Sequence, residues 1–240
     1  MSENKRLVAC VTGASRGIGF AIAEQLAEMC SHLLIAARTE EHIVAASGRL
    51  ETTTCNIIPM WGDLAQGQAL AETAKSLLLN VSDKLDVLVL DAGYYVEGSL
   101  AEIAPDDFER NMLVNCHSAH YMVSALIPLL KLSSKPRIII IGSTAAYEPY
   151  PLVPTYGIAK WGLRGYAINL RRELMQDGIG VTLLSPGGTL TDMWAGTDLP
   201  PGRLLDPTDI AKLVAASLLL SPQAVVEELI VRPMLGDIHE

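Results

Sequence analysis

The sequence predicts an α/β fold, a doubly wound parallel sheet of about seven strands with helices on both faces. Short apolar runs alternate with longer helical patterns along all 240 residues, which is typical of repeated β–α units. Apolar and polar residues do not alternate within the runs, as expected of strands that helices cover on both faces. No repeat, low-complexity tract or Gly/Ser linker divides the chain, so we predict a single domain over residues 1–240.

The predicted elements follow one another in a regular order. Each helical stretch is long enough for a right-handed crossover between two parallel strands. The predicted strands are LVACV (7–11), LLIAA (33–37), NIIPMW (56–61), LDVLVL (85–90), RIIII (137–141), GVTLL (180–184) and ELIVR (228–232). The predicted helices lie near 17–29, 39–52, 65–80, 105–131, 155–177 and 207–220.

One segment interrupts this alternation. Residues 186–206, PGGTLTDMWAGTDLPPGRLLD, carry four glycines and three prolines and follow the sixth predicted strand. A long irregular connection at the carboxyl end of a strand is typical of a segment that closes over a substrate. We therefore predict a lid near 190–206.

The composition excludes several classes of function. A formal net charge of −9 and a pI near 5.0 oppose a nucleic-acid surface, which needs a basic patch. The five histidines show no ligand spacing, so no metal site is expected. The polar start MSENKR and the short apolar stretches predict neither a signal peptide nor a membrane span. The cysteines have no CxxC spacing, which indicates reduced thiols and a cytoplasmic protein; they are Cys10, Cys30, Cys55 and Cys116.

A glycine-rich loop follows the first strand and opens the first helix. In VTGASRGIGFAIAEQLA, glycines 13, 17 and 19 permit a sharp turn and let backbone N–H groups approach a pyrophosphate at the helix N-terminus. The spacing is GxxxGxG and differs from the general GxGxxG dinucleotide fingerprint. Its position after the first strand of an α/β chain favours a nucleotide site over a purely structural turn.

A tyrosine and a lysine lie four residues apart in PTYGIAKWGLRGYAINL. Tyr156 and Lys160 fall on one face of the predicted helix, so their side chains can converge on one point. One such pair can arise by chance in a chain of this length. Ser143 at the end of the fifth strand and Asn115 in the preceding helical stretch, together with the glycine loop, make coincidence a poor explanation.

TGASRGIG followed by a YxxxK resembles the short-chain dehydrogenase/reductase family over essentially the whole chain. The resemblance implies a Rossmann-type fold and transfer of hydride between NADP(H) and a small-molecule carbonyl or alcohol. It further implies a homodimer or homotetramer built on the helices at 105–131 and 155–177. No nucleic acid or membrane partner is expected.

The resemblance assigns the catalytic residues as Asn115, Ser143, Tyr156 and Lys160. Ser143 would hold the carbonyl oxygen, Tyr156 would act as general acid/base, and Asn115 would anchor a water that relays protons to Lys160. A tyrosine pKa of about 10 is high for this role, and lowering it to about 7 requires roughly 4 kcal/mol of phenolate stabilisation. The Lys160 ammonium is expected to supply it.

The resemblance also assigns the residues that bind the cofactor. Asp63 would contact the adenine ring, and Thr191 the nicotinamide amide. DAG at 91–93 stands where the family usually has NAG, and the family's Asn there mainly ties the sheet together. The full predicted set is Gly13, Ser15, Arg16, Gly17, Ile18, Gly19, Arg38, Asp63, Leu64, Ala92, Gly93, Tyr156, Lys160, Pro186, Gly187, Thr189 and Thr191.

The end of the second strand indicates NADP(H) rather than NAD(H). NAD-specific folds of this kind place an acidic residue there to accept the ribose hydroxyls, but this chain has Ala37 followed by Arg38. Arg16 would approach the same point from the glycine loop. Two guanidinium groups suit a 2′-phosphate, which an acidic residue would repel.

Two other functions stay open at this point. One is reduction of 3-oxoacyl chains on a carrier protein, but such relatives usually end in a strand followed by Asp-Gly-Gly, whereas this chain ends ELIVRPMLGDIHE. The other is a non-catalytic NADP(H)-binding regulator, which would have no need of Ser143, Tyr156 and Lys160 together.

Overall fold

The computed structural model describes residues 6–50, 54–194 and 196–238 of the chain. Within these residues seven parallel strands form one sheet, which confirms the predicted fold. The strands are β1 (Leu7–Thr12), β2 (Cys30–Ala37), β3 (Asn56–Trp61), β4 (Val87–Leu90), β5 (Arg137–Ile141), β6 (Gly180–Pro186) and β7 (Glu228–Val231). Their order across the sheet is β3-β2-β1-β4-β5-β6-β7.

The helices cover both faces of this sheet and divide the core into two layers. A cluster with Leu88, Leu126 and Leu163 fills one face, and a cluster with Ile22 and Val214 fills the other. The helices are α1 (Gly17–Ala27), α2 (Glu40–Leu50), α3 (Gln68–Leu79), α4 (Pro105–Met112), α5 (Ser118–Leu130), α6 (Pro154–Leu174) and α7 (Pro207–Leu219). Helices α3, α5 and α6 contribute to the first layer, and α1, α2 and α7 to the second.

The strand order reverses at β1, which pairs with β2 on one side and β4 on the other. At such a point the carboxyl ends of parallel strands open a crevice that suits a ligand. The last residue of β1, Thr12, also links the two halves: its Oγ1 accepts hydrogen bonds from the N–H groups of Asp91 (3.2 Å) and Ala92 (3.3 Å). The candidate site lies at this edge of the sheet.

Several element boundaries differ from the predictions. Strand β2 begins at Cys30 because its first residues pair with β1, although Ser31 and His32 interrupt the apolar run. Strand β4 begins only at Val87, since the Leu85 N–H bonds the Leu129 carbonyl at the end of α5. Smaller differences of one to three residues affect other ends, and the predicted helical residues 51–52 lie outside the described residues.

The predicted helix at 105–131 is interrupted by a π-helical turn, Leu113–His117, between α4 and α5. By length and composition alone, the continuous stretch Pro105–Leu130 is apolar enough to cross a membrane, with a mean hydropathy of 1.2 in its most apolar window. Of that window, 56 % is buried inside the protein. The packing of α5 in the core therefore accounts for its apolar composition.

Candidate active site

The glycine loop between β1 and α1 lies directly against the residues that follow β4. Gly13 has a φ of +72° and Gly17 a φ of +57°, a backbone region that favours glycine. A Cβ atom on Gly13 would lie 2.8 Å from the Ala92 nitrogen, and one on Gly19 would lie 2.4 Å from the Gly13 carbonyl oxygen. Side chains at these positions would push the loop out of the crevice.

The amino end of α1 has no side-chain cap. Arg16, the residue before the helix, has an extended backbone and forms no capping hydrogen bond, and no acidic residue lies in the first turn. The first N–H groups of a helix lack partners within it, and the positive end of the helix dipole adds to their attraction for anions. This terminus is therefore suited to a pyrophosphate.

A cleft of about 600 Å³ opens above the glycine loop at the carboxyl edge of the sheet. It brings together twelve of the residues predicted from the sequence, although they come from widely separated parts of the chain. These are Gly13, Arg16, Gly17, Ile18, Arg38, Asp63, Leu64, Ala92, Gly93, Tyr156, Lys160 and Thr191.

The other predicted residues lie beside or behind this cleft. Ser15 lines an adjoining cavity of about 270 Å³. Thr189 is 5 % exposed and its hydroxyl donates to the Gly187 carbonyl oxygen. Pro186, Gly187 and Thr189 therefore support the backbone that leads to Thr191. Gly19 packs beneath the loop, as its contact with Gly13 requires.

His42 and Arg110 are among the residues that line the cleft and were missed by the sequence analysis. His42 stands in the first turn of α2, four residues after Arg38, which lies in the connection before the helix. No local pattern marks Arg110. It reaches the cleft because its Nη2 lies 2.7 Å from Asp63 Oδ2.

Asp63 is expected beside the adenine ring, and each of its carboxylate oxygens has a partner in the protein. Its Oδ1 accepts from the Ala65 N–H at 3.0 Å, and Oδ2 pairs with Arg110. Burial alone would raise the pKa of Asp63, but the Ala65 hydrogen bond, the Arg110 pair and the charge of Arg38 outweigh burial and lower it. Asp63 therefore stays charged and fixed at the rim of the cleft.

Tyr156 and Lys160 line the cleft, and Ser143, which is 8 % exposed, lies beside Tyr156 without lining it. The Ser143 hydroxyl hydrogen-bonds Tyr156 and accepts from the Ala145 N–H at 3.1 Å. Lys160 is 3 % exposed, and its Nζ donates to the Ile141 carbonyl oxygen at 3.0 Å. The same Nζ lies 5.4 Å from the centroid of the Tyr156 ring. The predicted convergence of these side chains is thus present.

The pKa of Tyr156 differs from the expectation that Lys160 lowers it to about 7. Burial raises the pKa to about 12, the Ser143 hydrogen bond lowers it, and the charge of Asp91 raises it further. Burial is the largest cause of the raised pKa, and the Lys160 ammonium lies over the ring of Tyr156 and bonds the Ile141 carbonyl. In the protein itself, the phenol is therefore a protonated acid at neutral pH.

Asp91 and Lys160 influence each other electrostatically. Burial raises the pKa of Asp91, while the Lys160 charge and a hydrogen bond from the Gly19 N–H lower it. Burial lowers the pKa of Lys160, and the charges of Asp91 and Cys116 raise it. The residue that departs from the family motif thus helps Lys160 to remain protonated, and its bonds from Gly19 and to Thr12 retain the tie between loop and sheet.

Asn115 lies in the π-helical turn and is 2 % exposed. Its Oδ1 accepts from the Tyr94 N–H at 3.1 Å, and its Nδ2 donates to the Tyr94 carbonyl oxygen at 2.6 Å and to Asn111 Oδ1 at 3.0 Å. Protein groups therefore engage both ends of the amide. The side chain fixes the segment after β4 to the helical turn.

The two arginines predicted at the phosphate end differ in their surroundings. Arg16 Nη1 lies 2.8 Å from Asp192 Oδ2, and both side chains are 66 % exposed. Arg38 is exposed at the same end of the cleft and forms no ion pair with any residue that the structure describes. Ala37 is the last residue of β2, so no carboxylate stands at the end of this strand.

A nucleotide-sized cleft lined by a half-buried tyrosine and a buried lysine suits an oxidoreductase. The profile of the short chain dehydrogenase family matches residues 7–200. The chain belongs to this family.

Individual relatives agree with this assignment. Sepiapterin reductase of Chlorobaculum tepidum is 29 % identical in an alignment of 245 positions that covers 96 % of this chain and 97 % of that enzyme. The structure of an alcohol dehydrogenase from Thermococcus sibiricus with 5-hydroxy-NADP is similar at a TM-score of 0.88 and 25 % identity, covering 98 % of this chain and 100 % of that one. A short chain dehydrogenase from Burkholderia cenocepacia with NADP has a TM-score of 0.86 and 28 % identity, over 96 % and 97 % of the two chains.

Proposed function

We propose that this chain is an NADP(H)-dependent oxidoreductase that interconverts a small-molecule carbonyl and its alcohol, with Tyr156 as general acid/base. The observation that carries the proposal is the convergence of Ser143, Tyr156 and Lys160 at a cleft that begins at an uncapped helix terminus. The family relatives that hold NADP or a derivative of it support the choice of cofactor.

The residues present fit NADP(H). The uncapped first turn of α1 suits the pyrophosphate, and the close contacts at Gly13 and Gly19 let the backbone approach it. Arg16 and Arg38 at the outer end suit a 2′-phosphate, while Ala37 leaves that end without a carboxylate. Thr191 lines the same cleft next to Gly17, and in this proposal it binds the nicotinamide amide.

When bound, the reduced cofactor supplies a hydride to the carbonyl carbon. Tyr156 donates its proton to the carbonyl oxygen, which Ser143 holds by a second hydrogen bond. The Ser143 hydroxyl, which lowers the pKa of Tyr156, then stabilises the phenolate that is left. Because burial raises the pKa of Tyr156 to about 12, the hydroxyl is protonated at neutral pH and carries the proton that the reduction needs.

Asn115 serves this reaction by holding the π-helical turn beside the segment that follows β4. Turns of this type leave backbone groups without their usual helical partners and often occur at functional sites. Such groups can anchor the water that returns a proton toward Lys160. We assign Asn115 to this relay.

The proposal includes a lid, an assembly and a location. Residues 190–206 form the lid, whose base is joined by the bridge between Thr189 and Leu205. A homodimer or homotetramer is supported by an exposed apolar stripe on α6, formed by Ile158 (40 %), Trp161 (51 %) and Ile168 (39 %). The acidic composition and free thiols at Cys10 and Cys30 agree with a cytoplasmic protein.

A panel of carbonyl compounds, followed by loss of NADPH absorbance, tests the proposal. It should contain small ketones and aldehydes, together with 3-oxoacyl chains presented on a carrier protein. Turnover of a small carbonyl supports the proposed function. Activity confined to the carrier-bound chains would show instead that the protein reduces 3-oxoacyl chains on a carrier protein. NADPH binding with no turnover of any compound would favour a non-catalytic regulator.

A further inference from the structure

Asp237 is a buried carboxylate behind the loop that carries Gly187 and Thr189. Its side chain is 0 % exposed, and Oδ2 accepts from Arg232 Nε at 3.0 Å. Its Oδ1 accepts from the backbone N–H of Gly188 at 3.2 Å. A Cβ atom on Gly187 would lie 2.0 Å from the same Oδ1. The turn at 233–237 is therefore fitted against the loop after β6, with room for glycine only at position 187.

The same turn also holds the other end of the lid. Arg203 donates from Nη1 to the Gly236 carbonyl oxygen at 2.8 Å and from Nη2 to the Asp237 carbonyl oxygen at 3.0 Å. Between these anchors, the Leu205 N–H bonds the Gly188 carbonyl oxygen at 2.9 Å. Asp237 thus lies where the beginning and the end of the lid meet.

The contacts of Asp237 and Arg203 with the two ends of the lid are called the clamp here. The clamp is connected to the cleft in two directions. Toward the cofactor end, the held loop continues through Thr189 to Thr191, whose methyl group faces Gly17 of the glycine loop. Toward the segment after Ser143, the Arg232 guanidinium that binds Asp237 also pairs with Glu148 at 3.0 Å. A shift of Asp237 would therefore be transmitted to both walls of the site.

We propose that Asp237 is a positioning residue: it holds loop 187–191 against the cofactor cleft and, with Arg203, fixes both ends of the lid. The part that concerns cofactor affinity rests on the proposed function. The part that concerns the anchoring of segment 190–206 does not, because those contacts lie within the chain itself.

The test compares Asp237→Ala, Asp237→Asn and Arg203→Met with the wild type, using Asp209→Ala on the exposed surface of α7 as control. NADPH dissociation constants and the rate of proteolysis within 189–204 without ligand are measured at a temperature at which all variants are folded. We expect Asp237→Ala to weaken NADPH about 10-fold and to speed cleavage at least fivefold. Asp237→Asn keeps one acceptor oxygen, so its NADPH affinity and its cleavage rate should lie between those of the wild type and of Asp237→Ala. Arg203→Met should mainly speed cleavage.

Two results would overturn the proposal. Folded Asp237→Ala with unchanged cleavage and unchanged NADPH affinity would show that the carboxylate is only a structural contact. If that variant does not fold, a wild-type cleavage rate in Arg203→Met would equally overturn the proposed clamp. Failure of the wild type to bind NADPH would instead contradict the proposed function, and the cleavage comparison would still decide the role of Asp237.

Discussion

Arg16 and Asp192 form an ion pair of 2.8 Å that joins the glycine loop to the lid across the mouth of the cleft. The arginine proposed to bind the 2′-phosphate is therefore already bonded to a carboxylate. A phosphate that enters this end of the cleft must compete with Asp192 for the guanidinium and approach its negative charge. Asp192 is thus placed to weaken NADP(H) relative to NAD(H).

Asp192→Asn should lower the dissociation constant of NADPH two- to fivefold and leave that of NADH nearly unchanged. The range is small because exposed ion pairs contribute only about 0–1 kcal/mol. Titration of both cofactors by intrinsic fluorescence measures the effect, with Asp198→Asn in the same segment as control. Equal changes for the two cofactors would show that Asp192 does not act through the phosphate.

Ala37→Asp combined with Arg38→Leu should reduce kcat/KM for NADPH on the order of 100-fold, because charge-assisted hydrogen bonds are lost and a repulsive charge is gained. NADH should be affected far less. The wild-type preference for NADPH should also shrink as salt is raised. Lys75→Leu on α3 is the control, and a wild-type enzyme that favours NADH would contradict the assignment of Arg16 and Arg38.

Asp91→Asn should move the alkaline limb of the kcat/KM profile to lower pH. Asp91 raises the pKa of Tyr156 and the pKa of Lys160, so its removal lowers both. Each group then loses its proton at a lower pH than in the wild type. Rate measurements across the alkaline range detect the shift. The exposed Asp209→Asn should leave the limb in place, and an unmoved limb in Asp91→Asn would refute the coupling.

Trp161→Glu should convert the assembly to smaller species. This side chain is half exposed in the middle of the apolar stripe on α6, where a buried charge would be costly. Light scattering with size-exclusion chromatography measures the mass, and Leu79→Glu on α3 serves as control because Leu79 is similarly exposed but outside the stripe. A wild type that is already monomeric would contradict the proposed oligomer.

The sequence predicted those parts of the site whose signal is local. The glycine spacing, the four-residue step from Tyr156 to Lys160 and the missing acid after β2 are all readable within a few residues. The fold followed from the alternation of buried strands and helices. The cleft then arises because parallel strands end at one edge, which brings Asp63 and Ala92 next to the glycine loop.

The partners across the cleft could not be predicted in this way. Arg16 pairs with a residue 176 positions away, and Arg110 with one 47 positions away. Neither pair leaves a periodic pattern in the chain. The π-helical turn could not be predicted either, because it accompanies bonds between Asn115 and Tyr94, which lie 21 positions apart. The raised pKa of Tyr156 depends on burial and on Asp91, which only the folded arrangement specifies.

The most direct test of the account compares Tyr156→Phe with the wild type in two measurements, turnover of the best carbonyl substrate and the dissociation constant of NADPH. Phenylalanine removes only the hydroxyl, so the account predicts a loss of turnover of at least 1,000-fold, on the order of what a general acid contributes. NADPH binding should stay within about threefold of the wild type, a free-energy change well below 1.4 kcal/mol. Appreciable turnover by Tyr156→Phe would contradict the assignment of Tyr156 as the proton donor.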